Sequence, residues 1–315
     1  MNPDYRRSLR RHFGRLGLAL FGYLAATFAA ELLFQGLIVL VCPAFIQSGW
    51  YLPLLSAVPM YLIGFPVFLW LLPPAPGKEL LPEKQKLPLK NLWPLFLMCF
   101  GFLYPGNLLG QAINAILSAV YHSGASNPLE QMAGGSNLLG YGLLAVVIAP
   151  VMEEIAFRKL LIDRMRPIDK PAAVFFSALA FGLFHGNVVQ FFYAFGVGLL
   201  FGSIYVRTGR LWYTIVLHIL VNFFGSMVTM LLLPHVDLFD PLNSILPLAC
   251  LSLYALLLMA AAVAGVVLLI KRRRNLYVGD GADRLAGMRF STAFCTVGGG
   301  LYLLATLAVF ALNYI

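Results

Sequence analysis

Long apolar runs, broken by very few charges, constrain this chain more than any other feature in it. Nine stretches, 16–42, 51–73, 92–121, 137–161, 171–186, 188–206, 211–233, 244–270 and 290–313, are predicted to be helices. Runs of this length are at home only in lipid, where no water satisfies the backbone, so a spanning segment must be a helix or part of a closed barrel. The runs do not alternate apolar with polar residues, which selects helices. Composition agrees. Of 315 residues 60% are hydrophobic and 11% are charged, against about 25% charged in a soluble domain. The expected fold is an all-α polytopic membrane bundle of about eight or nine transmembrane helices, forming one transmembrane domain over residues 1–315.

The distribution of positive charge orients the bundle. Segments 1–15, 74–91, 158–170, 207–210 and 271–289 hold nearly all the Lys and Arg, whereas 43–50, 122–136 and 234–243 hold none. Placing the basic segments inside makes nine spans alternate consistently, with the amino terminus cytoplasmic in a multi-pass protein of the cell membrane. The net charge of +9 therefore reads as topology signals beside membrane lipids, and nucleic acid is not an expected partner. The first apolar run exceeds the 7–15 residues or so of a signal peptide's apolar region and is read as a retained span. The four cysteines show no CxxC pairing, so neither a disulfide frame nor a cysteine metal site is expected. One span fits poorly. Residues 171–186 fall short of the roughly 20 needed to cross, so this helix begins inside the membrane or ends partway, at Gly186-Asn187.

Against this background the polar residues inside apolar runs stand out, because an acid near the middle of a membrane helix costs roughly 2.5–3.5 kcal/mol on insertion scales. Pro150-Val-Met-Glu153-Glu154-Ile-Ala-Phe157-Arg158 places Glu154 and Arg158 four residues apart on one helix face, where they can pair. Glu153 is turned about 100° away and points elsewhere. Pro150 removes a backbone hydrogen bond and opens room beside the acids. Alone, the two glutamates fit equally well near a helix end that reaches water. His185 follows Phe181 by one turn, and His218 shares a face with Asn222; each pair alone reads as interhelical hydrogen bonding. Glu31, Asn107, Gln111 and Asn114 are further polar residues in apolar spans, read here as helix-packing groups.

Taken together, the motifs carry more. They lie on three helices, and Glu153 and His218 are each roughly 8–11 Å from the cytoplasmic end of their helix at a 1.5 Å rise per residue. A carboxylate flanked by imidazoles polarises water, and a nearby carboxamide can donate to the oxyanion formed when water adds to a peptide carbonyl. With a divalent metal such as zinc, Glu153, His185 and His218 would supply the N and O ligands of a catalytic site with an open position. No His-Glu-x-x-His pattern is present.

The chain resembles the CPBP family of intramembrane proteases, which includes the type II CAAX prenyl endopeptidases and the bacterial Abi and bacteriocin-processing proteins. The resemblance rests on Glu153-Glu154-x-x-x-Arg158, Phe181-x-x-x-His185 and His218-x-x-x-Asn222, and covers about residues 145–225, the expected catalytic core. It implies that Glu153 is the general base and that His185 and His218 hold the water. It further implies that Asn222 contacts the oxyanion, and that Glu154 and Arg158 orient the site. The implied activity is intramembrane endoproteolysis of a membrane-bound peptide or lipidated protein near the cytoplasmic face. Two other readings remain at this stage. One is a non-catalytic scaffold or bacteriocin self-immunity protein with a polar cluster as interhelical glue. The other is a proton-coupled transporter, weakened by the lack of a visible internal repeat.

Overall fold

In the computed structural model, residues 3–75, 77, 84–123, 137–236, 241–276, 278 and 294–314 are described. Among them the chain forms nine helices and no strand. They are α1 (Pro3–Val41), α2 (Tyr51–Leu71), α3 (Leu92–Tyr121), α4 (Leu138–Met165) and α5 (Lys170–Phe184), followed by α6 (Val188–Thr208), α7 (Leu211–His235), α8 (Pro241–Leu276) and α9 (Val297–Leu312). Seven are long and apolar enough to cross a membrane; α5 and α9, of 15 and 16 residues, are shorter.

The helix starts that depart most from expectation are those of α1 and α9. Residues 3–15 were assigned to a cytoplasmic segment, yet α1 already begins at Pro3. Pro suits a first helical turn, no breaker follows, and the apolar face of Leu9, Phe13 and Leu16 is buried against the rest of the bundle. At the other end, α9 begins at Val297 and not at 290, where Thr296 caps it by accepting from the Gly299 N–H. The expected loop 122–136 lies almost wholly outside the described residues, as do 78–83 of the loop 74–91, 237–240 of 234–243, and most of the connection 271–289.

Small residues set how closely the helices meet. α1 packs along α9 where Gly17 faces Gly298 and Gly299, and a Cβ on Gly17 would collide with their backbone. α3 lies between α6 and α8, and α5 packs on α6. The connection between α5 and α6 is tight and well braced. His185 caps α5, and Gly186 turns the chain at φ +69°, a left-handed conformation that glycine adopts without steric cost. Asn187 then caps α6 by accepting from the Gln190 N–H at 2.9 Å. The Asn187 amide donates to the His185 carbonyl at 2.9 Å, and Asn313, just past α9, donates to the Gly186 carbonyl at 2.8 Å. The short fifth helix therefore ends at Gly186-Asn187, the second of the two alternatives its length left open.

Candidate active site

The α4 backbone is not a uniform α-helix. A narrow segment, Ala149–Glu153, is flanked by two wide π segments, Gly142–Ile148 and Glu154–Ile162. Pro150 lies in the narrow segment and has no N–H to give the preceding turn, which suits a register change there. The transition falls between the two glutamates and sends them to different surroundings.

Glu154 turns inward. Its Oε2 lies 3.2 Å from Nε of Arg158, and both side chains are fully buried. No described group hydrogen-bonds the Arg158 guanidinium. Instead its carbon sits 4.4 Å from the ring centroid of Phe181 on α5 and 5.7 Å from that of Phe201 on α6. An isolated buried charge is very costly. Here a carboxylate and two aromatic faces offset that cost, and Arg suits the position because its flat, weakly hydrated cation stacks on rings.

The other Glu154 oxygen reaches α7. His218, itself buried, donates from Nδ1 to Glu154 Oε1 at 3.0 Å. A carboxylate can only accept, so the proton of this bond belongs to Nδ1. That fixes the ring and turns Nε2 toward Glu153, whose Oε2 lies 3.6 Å away. The Phe181 and Phe201 rings flank the imidazole at 5.8 and 5.4 Å between centroids. The chain of contacts runs Arg158, Glu154, His218, Glu153, each member holding the next.

His185 and Asn222 are fixed by backbone carbonyls. His185 Nδ1 donates to the Phe181 carbonyl at 2.8 Å, and its ring meets that of Phe181 edge-on at 4.8 Å. Asn222 donates to the Ala145 carbonyl at 3.1 Å; Ala145 belongs to the first wide segment of α4. That bond uses one of the two amide hydrogens and leaves the second for another acceptor.

Glu153, His185, His218 and Asn222 all line one cavity of about 500 Å³, whereas Glu154 and Arg158 stand behind it. The six residues singled out in the sequence thus form two layers, four facing the cavity and two supporting them. Glu31 and Asn107, read from the sequence as packing groups, line the same cavity. Asn114 does make a packing contact, accepting from the Tyr314 hydroxyl at 2.8 Å. Tyr61, Tyr141 and Gln190 also line the cavity and were not singled out, because a tyrosine or glutamine in an apolar helix has no spacing signal until its neighbours are known. Among the described residues no three His, Cys, Asp or Glu side chains are arranged to hold a metal ion, so Glu153, His185 and His218 share a cavity without forming a ligand cluster.

Comparison with known proteins falls on this region. Residues 135–224 match the family model described as Rce1-like, type II CAAX prenyl endopeptidase Rce1-like. A Bacillus subtilis (strain 168) protein described as "Putative membrane peptidase YdiL" is 30% identical over 85 residues, which is 26% of this chain and 34% of that protein. The chain thus covers about a third of the length of this curated relative. No solved structure matches the chain significantly. The matched segment runs from just before α4 through Phe224 and contains all three motifs. Over residues 135–224, the stretch that carries the three motifs, the chain is thus similar to the Rce1-like type II CAAX prenyl endopeptidases.

Proposed function

We propose that this protein is an intramembrane endopeptidase that hydrolyses a peptide bond in a membrane-bound or lipidated peptide near the cytoplasmic face. The observation that carries the proposal is the 3.6 Å gap between Glu153 Oε2 and His218 Nε2 at the wall of a cavity that also presents His185 and Asn222. Two polar atoms at that separation are suited to sharing a water, since the gap is long for a direct bond and short enough to bridge.

In this reading Glu153 is the general base. The water held against Glu153 and His218 gives a proton to the carboxylate as its oxygen adds to the peptide carbonyl carbon. The carbonyl electrons move onto oxygen, and the free amide hydrogen of Asn222 donates to the oxyanion. As the C–N bond breaks, Glu153 returns the proton to the departing nitrogen, leaving a carboxylic acid and an amine. His185 takes part through Nε2, its Nδ1 being engaged by the Phe181 carbonyl; it accepts from the water and limits its orientation. Glu154 and Arg158 keep the His218 ring in place. No step uses a metal. The amino terminus is assigned to the cytoplasmic side because the Arg-rich start of α1 and the basic segments after α4 and α6 share that side.

The test is cleavage of farnesylated and unmodified membrane peptides by purified protein in lipid nanodiscs. Glu153→Ala and His218→Ala are each expected to abolish cleavage while the protein still inserts and accumulates. Normal turnover by Glu153→Ala would remove Glu153 as the base.

A further inference from the structure

The proposed catalytic groups occupy only part of the cavity. It extends along α1 and α2, where Leu52, Leu55 and Ser56 form its wall and Glu31 is present. Glu31 makes no ion pair or hydrogen bond among the described residues, and the cavity lining contains neither Lys nor Arg. A carboxylate within an apolar helix usually has a partner or a task, and no cation among the described residues pairs with this one. Among the described residues the hollow therefore carries acidic groups at two places, Glu153 and Glu31, and no Lys or Arg to receive a substrate's carboxylate or phosphate.

The position of Glu31 sets a distance. Tyr23 on α1 has its ring centroid 4.6 Å from that of Phe184, the residue next to His185. Glu31 lies eight residues further along the same helix, about 12 Å at 1.5 Å per residue. Farther on, Phe34 and Ile38 pack against Tyr51 and Leu55. An extended peptide advances about 3.3 Å per residue, so about three or four residues separate a group held at Glu31 from a bond held at Glu153.

We propose that Glu31 is a specificity-determining residue that selects peptides carrying a Lys or Arg about three or four residues from the scissile bond. The inference rests on the endopeptidase reading and narrows its substrate class. Among the described residues lining the cavity, Glu31 is the acidic group outside the catalytic wall that a peptide cation would meet. An acidic side chain at the same place meets a like charge in a water-poor setting, where repulsion is strong.

The test uses full-length protein in nanodiscs and membrane peptides that differ only by Lys, Gln or Glu at three and four residues to either side of the cleaved bond. Wild-type protein is expected to favour Lys over Glu by about tenfold or more in kcat/KM. Glu31→Gln keeps cleavage of the Gln peptide and brings the Lys and Glu peptides to similar rates, and Glu31→Lys reverses the order. Cleavage by wild type without charge preference, or a Lys preference that survives in Glu31→Gln, overturns the inference and leaves the endopeptidase reading intact. Peptide binding is measured in parallel by fluorescence anisotropy. Lys-selective binding that Glu31→Gln abolishes, without cleavage by wild type, keeps the charge selection and overturns the endopeptidase reading. Neither binding nor cleavage of any peptide overturns both.

Discussion

His218 is held by Glu154 through Nδ1 at 3.0 Å while its Nε2 faces Glu153 at 3.6 Å, so one imidazole joins two adjacent carboxylates of unlike surroundings. Glu154 is fully buried and already paired with Arg158, whereas Glu153 opens onto the cavity. In the proposed mechanism the same residue type at consecutive positions carries a supporting duty and a reactive one, and each can be altered separately.

Removing the supporting carboxylate has a structural cost. Glu154→Ala leaves the Arg158 cation buried without its counter-charge, a change that costs about 3–5 kcal/mol. The double variant Glu154→Leu/Arg158→Met removes both charges and is expected to unfold at a higher temperature than Glu154→Ala alone. Thermal unfolding in detergent measures this. Equal destabilisation of the single and double variants would show that the pair is not energetically coupled.

Asn222 tests the oxyanion contact. Asn222→Ala should lower kcat by about 10²–10³ with little change in KM, because the free amide hydrogen acts on the tetrahedral species and not on the bound peptide. Steady-state kinetics on one membrane peptide separates the two parameters. A rise in KM alone would assign Asn222 to substrate binding.

The turn that carries His185 depends on Gly186. The left-handed backbone here, φ +69°, costs a residue with a Cβ about 1–2 kcal/mol, and that Cβ would stand 2.9 Å from Cγ1 of Val309. Gly186→Ala is expected to reduce both stability and cleavage, and Gly186→Asn to reduce stability less, since Asn tolerates this conformation better. Unfolding temperatures of the two variants decide it; equal values would mean the backbone conformation is not limiting.

Metal removal has a defined expectation, because among the described residues no three suitable donors converge. Dialysis against a chelator should leave the cleavage rate unchanged, and elemental analysis should find less than one divalent ion per chain. Loss of activity restored by zinc would instead make Glu153, His185 and His218 ligands of an ion.

Much of this arrangement was legible in the chain itself, for physical reasons that also mark where legibility stops. Apolar runs specify membrane helices because lipid leaves the backbone no other solution, and among the described residues nine apolar helices are present, seven of them long enough to cross. The pairing of Glu154 with Arg158 follows from four-residue spacing, and it persists even though that stretch is a π segment. What spacing cannot reveal is which side chains from other helices complete a site. The Phe181 and Phe201 faces over Arg158, the Ala145 carbonyl that holds Asn222, and the place of Glu31 and Tyr61 in the cavity all arise from helix packing. The early start of α1 was hidden by the arginines, which signal topology without saying that the helix ends.

The most direct test is single-turnover cleavage by Glu153→Gln protein reconstituted in nanodiscs. Glutamine keeps the size and hydrogen-bonding capacity of the side chain but cannot take a proton from water. Cleavage should fall by about 10²–10⁴, with unfolding temperature and peptide binding unchanged. Cleavage at the wild-type rate would contradict the account, because it would mean that the carboxylate facing His218 does not activate the water.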